Sequence, residues 1–83
     1  MTVQEALGKI WENRHEKSLN YAVNYAKYGM YLEDGEELRV QCLYVLGNIT
    51  RWRGEVAKEV RQTLKDYTKK DQWPKHRDPV NNF

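Results

Sequence analysis

The stretch "GNITRWRGEVAKEVRQTLK", residues 47–65, decides how this chain folds. It is basic, sets Trp52 between Arg51 and Arg53, and opens on Gly47 and Asn48, weak helix formers that cost up to about 1 kcal/mol each. Either a turn falls here and a new helix begins, or one helix runs through. The apolar positions around it are Leu38, Cys42, Val45, Ile49, Trp52, Val56, Val60, Leu64 and Tyr67, in steps of three or four that keep phase across Gly47 and Gly54. That spacing predicts one long helix over about 36–69, with Trp52 turned inward. A helix-turn-helix would instead turn at Gly47, cap a recognition helix with Thr50 and offer Arg51 and Arg53 to base edges. Leu43 and Arg53 stand where that motif has a small and a β-branched residue, and Gly54 weakens its reading end. A bundle helix fits better.

Working back toward the N-terminus, "LEDGEE" supplies a turn at Gly35, and Asp34 with Glu37 forms a capping-box pattern. Thr2 with Glu5 is another, just ahead of Val3, Leu7 and Ile10. After a polar run that puts Arg14 and Ser18 on the stripe, apolar spacing resumes in phase at Tyr21, Tyr25, Tyr28 and Leu32. The expected fold is therefore all-α: a long antiparallel hairpin of helices at about 3–31 and 36–69. The alternative is a three- or four-helix single-chain bundle, broken near Ser18 or Gly47. A turn at Gly35 lays Ala22, Ala26 and Gly29 against residues 38–47, where small side chains let helix backbones approach. Residues 1–70 form the helical domain. Residues 71–83, with Pro74 and Pro79 and no period, are expected to be an extended or disordered tail.

Between Leu38 and Leu46, Val40, Leu43 and Tyr44 point away from the stripe, so this segment is apolar nearly all round. A two-helix hairpin cannot cover it. The expected answer is a homodimer that completes a four-helix bundle, and a chain this short buries only roughly 60 to 65% of its unfolded surface, which favours pairing. Tyr21, Tyr25, Tyr28, Leu43, Tyr44 and Trp52 are the candidate interface or core residues. Their helical spacing suits packing better than base stacking.

The 83 residues are 40% apolar and 31% charged, and the net charge of +2 is unevenly spread. Residues 1–49 hold five Lys/Arg against seven Asp/Glu, and residues 50–83 hold nine against five, leaving −2 and +4. That asymmetry makes nucleic acid a second class of partner, contacted by Arg51, Arg53, Lys58, Arg61 and Lys65. Against it, Arg51 with Glu55, Glu55 with Lys58 and Asp66 with Lys69 stand at ion-pair spacing that would neutralise the stripe. Segment 43–65, "LYVLGNITRWRGEVAKEVRQTLK", resembles small helical proteins encoded in phage and prophage regions. The resemblance implies a phage-related origin and carries over no functional residues.

Chemistry beyond binding finds no constellation. His15 and His76 stand singly in polar surroundings, Cys42 is a lone thiol among apolar neighbours, and no glycine loop suits a phosphate. No enzymatic activity, metal or cofactor is expected. No apolar run reaches membrane-spanning length and no signal peptide opens the chain, so a cytoplasmic, non-enzymatic helical interaction or regulatory module is the expected function.

Overall fold

The computed structural model describes residues 1–69, and among them the regular structure is entirely helical. Four α-helices are present: α1 (Val3–Glu12), α2 (Ala22–Gly29), α3 (Glu36–Gly47) and α4 (Glu55–Thr68), with a single 3-10 turn at Lys17–Leu19 between α1 and α2. Helix α1 packs against α2 and α4, and α3 likewise packs against α2 and α4. The proposed tail, with Trp73 and His76, lies outside the described residues.

The two long helices expected from the apolar spacing are thus each broken, and the breaks fall at both alternative positions. At the first, Asn13 caps α1: its backbone N–H donates to Lys9 and Ile10 carbonyls, and its side-chain amide donates to Lys9 O at 2.8 Å. Continuing the helix would have carried Arg14 and Ser18 into the core, whereas the 3-10 turn carries Leu19 there instead, fully buried. At the second, Asn48 closes α3 and α4 starts afresh behind Gly54, whose φ of 110° is open only to glycine without strain. Residues 48–54 leave the helical path, yet Ile49 and Trp52 still reach the core, Trp52 at 4% exposure. Phase survived the break because both segments fill one core.

What changes is which side of each helix is buried. In α2 the core residues are Ala22, Ala26 and Gly29, while Tyr21, Tyr25 and Tyr28 stand exposed beside them. In α4 they are Ala57, Val60, Leu64 and Tyr67, and Val56 is exposed, since it no longer follows Trp52 on a shared helix. The small residues of α2 behave as expected. A Cβ built on Gly29 would lie 3.0 Å from Leu7 Cδ1 of α1 and 3.4 Å from Gln41 Cγ of α3. Gln41 also donates from Nε2 to Tyr25 O at 3.0 Å.

The helix starts divide in the same way. Thr2 and Glu5 form the full capping box, with Glu5 N–H donating to Thr2 Oγ1 at 3.1 Å and Thr2 N–H to Glu5 Oε1 at 2.8 Å. The second box does not form: Gly35, at φ 153°, is the cap of α3, and Asp34 instead accepts a hydrogen bond from the Tyr67 hydroxyl. Gly35 N–H donates to the same Tyr67 Oη at 3.1 Å, so one phenol ties the α2–α3 turn to the end of α4. Cys42 is buried, and burial pushes its thiol up to about 12, consistent with an inert core residue.

The two glycines of the second break make opposite predictions. Gly47 is helical with open space beyond its Cα, so Gly47→Ala should stabilise the fold by about 0.5 to 1 kcal/mol. Gly54→Ala forces a side chain onto positive φ and should cost about 1 to 3 kcal/mol. Urea titrations of both variants check this; a helix running through residues 47–55 would make both substitutions stabilising.

Candidate interaction surface

Three surface features follow from this packing: an aromatic face on α2 and α3, exposed cations in the α3–α4 connection and along α4, and a cleft at the α3–α4 end. The aromatic face arises because α2 buries its small residues and α3 carries Leu43 and Tyr44 on its outer side. Tyr21 is 80% exposed, Leu43 44% and Tyr44 53%, and Tyr25 and Tyr28 are exposed with them. The Tyr25 and Tyr44 rings meet at 5.6 Å between centroids, joining the two helices' outer faces into one surface. Tyr28 Oη donates to Glu37 Oε2 at 3.4 Å along the same seam. Of the six residues expected in an interface or core, only Trp52 lies inside; the other five are on this surface.

The expected basic stripe does not survive as a unit. Arg51 and Arg53 lie in the connection ahead of α4, so they occupy no helix face, and the helix that follows starts behind Gly54 rather than Thr50. The seven residues separating α3 from α4 exceed the three- or four-residue turn of a helix-turn-helix. Arg61 points inward and is half-buried: its Nη1 donates to Trp52 O at 2.7 Å and Ile49 O at 3.2 Å. Both bonds come from Nη1 and hold the connection. Periodicity had placed Arg61 outside, because only the bend in the chain brings two carbonyls over it.

Arg51, Arg53, Lys58 and Lys65 remain exposed. The expected ion pairs with Glu55 and Asp66 are not among those formed in the described residues, which are Lys9–Glu12 at 3.5 Å, Arg39–Glu36 at 2.6 Å and His15–Glu16 at 3.9 Å. Asp66 instead accepts from Gln62 Nε2 at 2.9 Å. The four cations are therefore less neutralised than their spacing suggested.

Sequence reading missed the contacts of Trp11. The Arg14 guanidinium lies 4.4 Å and Lys27 Nζ 4.9 Å from the Trp11 ring centroid, so the end of α1 is fastened to α2 by cation–π attraction. It also missed the cleft, lined by Lys17, Ser18, Tyr21, Gly47, Asn48, Thr50 and Arg51, since its two walls come from connections with no apolar period.

Among the described residues no group of three His, Cys, Asp or Glu side chains is placed to hold a metal ion, and no helix is long and apolar enough to cross a membrane. No family model matches the chain, and no curated protein or solved structure is significantly similar to it.

The Tyr67 tie gives a pH test of the packing. Burial, then the hydrogen bond to Asp34, pushes the Tyr67 phenol up to about 12, against about 10 in an unfolded chain. A group raised on folding contributes stability that is complete below its unfolded pKa and is lost as pH climbs through the folded one. Tyr67→Phe should therefore cost about 1 to 2 kcal/mol at neutral pH, and the gap to wild type should close above pH about 10. Thermal melts of both proteins across that range check it; a gap constant with pH would mean that Tyr67 is not held as described.

Proposed function

We propose that the chain is a non-enzymatic interaction module that pairs with a second copy of itself through the aromatic face of α2 and α3. The observation that supports this reading is the exposure of Tyr21, Tyr25, Tyr28, Leu43 and Tyr44 on α2, its start and α3, with the Tyr25 and Tyr44 rings in contact across the two helices. Tyrosine suits such a surface because its ring excludes water while its hydroxyl keeps a polar partner, so the face tolerates solvent before pairing and gains from burial afterwards. A twofold axis beside α3 sets Leu43 and Tyr44 against the same residues of the second copy, which makes the contact self-complementary. The completed pair is an interaction or regulatory unit of phage-related origin, working in the reducing cytoplasm.

Nucleic acid binding is the second reading, favoured by one observation: Arg51, Arg53, Lys58 and Lys65 form no ion pair among the described residues. Four phosphate contacts through these cations predict that log affinity against log salt falls with a slope of about −3.6.

Sedimentation equilibrium at micromolar concentration separates the readings. Wild type should sediment as a dimer, and the double variant Leu43→Glu, Tyr44→Glu as a folded monomer with unchanged helix content. A wild-type monomer, or a double variant that stays dimeric, overturns self-pairing through this face. Salt-dependent binding of duplex DNA or structured RNA by that monomer would move the assignment to the second reading.

A further inference from the structure

The cleft at the α3–α4 end of the molecule brings Lys17, which neither reading uses, beside Tyr21 and Arg51. It is a half-open cleft of about 560 Å³, a volume in the range of small-ligand sites. One wall is the 3-10 turn, which contributes Lys17 and Ser18; the other is the α3–α4 connection, which contributes Asn48, Thr50 and Arg51. Two cations from segments more than thirty positions apart thus converge, and no carboxylate is among the lining residues. Neither cation forms an ion pair among the described residues. Three hydroxyls, from Ser18, Thr50 and Tyr21, complete the polar lining. Asn48 is oriented by its own hydrogen bond, from Nδ2 to Tyr44 O at 2.8 Å, and braces the wall.

We propose that this cleft binds a phosphate-bearing ligand with a flat ring, a nucleotide, whose phosphate sits between Lys17 and Arg51. The charge sign excludes cations and leaves oxyanions. Among oxyanions, two cations and three hydroxyls offer more donors than a carboxylate's two oxygens can use, whereas a phosphomonoester presents three acceptor oxygens and close to two charges. The volume exceeds what phosphate alone fills. At the rim stands Tyr21, exposed over 80% of its surface, whose ring can stack on a base. The same chemistry can come from a free nucleotide or from the phosphorylated end of a single strand.

The cleft shares Tyr21 with the proposed pairing face, but its phosphate pair, Lys17 and Arg51, is not in the Leu43 and Tyr44 contact. It differs too from a basic helix face, because Lys58 and Lys65 do not line the cleft.

Titration of the isotope-labelled full chain with inorganic phosphate, adenosine 5′-monophosphate and a 5′-phosphorylated single-stranded oligonucleotide, followed by amide chemical shifts, tests it. Saturable shifts should appear at residues 17–21 and 47–51, and the nucleotide should bind about tenfold more tightly than phosphate through stacking on Tyr21. Both cations are exposed, so the double variant Lys17→Gln, Arg51→Gln should keep its helix content while losing at least about tenfold in affinity. An oligonucleotide bound more tightly than the mononucleotide identifies the strand end as the ligand; equal affinities identify the free nucleotide. Shifts that never saturate, that persist in the double variant, or that are the same for phosphate and nucleotide overturn the proposal.

Discussion

The Arg61 guanidinium, donating from α4 to the backbone carbonyls of Trp52 and Ile49, holds the bend on which this fold depends. The chain has to leave its helical path at residues 48–54 and still deliver two large side chains to the core. Buried carbonyls in an irregular segment carry a heavy penalty unless a donor reaches them, and a charged donor that serves two at once removes it efficiently. With that segment fixed, Ile49 and Trp52 fill the space between α3 and α4. The opposite end is closed by Tyr67, which joins the α2–α3 turn to α4 through Asp34 and Gly35. The core therefore has a polar clasp at each end and is apolar between.

Much of this was legible in the sequence. The Thr2–Glu5 box fixes the start of α1, and Gly35 fixes the middle turn. The antiparallel meeting of α2 and α3 follows from Ala22, Ala26 and Gly29, whose small size is the reason those helices approach. The apolar stripe from Leu38 to Tyr67 predicts one core-facing helix; all of it but Val56 does reach the core, from two helices and the bent connection between them. Spacing of three or four reports a shared burial direction, and a bent segment such as 48–54 can preserve that direction without preserving the helix. The polar run around Arg14 and Ser18 was the stronger warning of a break. Its resolution, Leu19 entering the core from a 3-10 turn, had no periodic signal to announce it.

The surface was less legible, for a related reason. Once α2 is rotated to bury its small residues, Tyr21, Tyr25 and Tyr28 move to the outside, and the bend at 48–54 separately turns Arg61 inward. A stripe of like residues in the sequence is thereby divided between structural and accessible roles. What remains outside is an aromatic face along α2 and α3 and exposed cations that form no ion pair among the described residues, Lys17 and Arg51 lining the cleft at the α3–α4 end. The first suits a protein surface and the second an oxyanion, and the two are distinct enough to serve different partners in one small module.

Helix α1 folds back on α2 instead of continuing into it, and a distance measurement addresses this directly. Gln4 and Met30 are both exposed, and Cys42 is buried with its thiol pushed up to about 12, so spin labels on Gln4→Cys and Met30→Cys leave the native thiol unmodified. In a continuous helix the two positions would be about 39 Å apart, at 1.5 Å per residue. Here Leu7 touches the Gly29 position and the ends lie side by side, so the distance, recorded with labelled chains diluted in unlabelled protein, should fall well below that. A distribution centred near the full helical length would contradict the account.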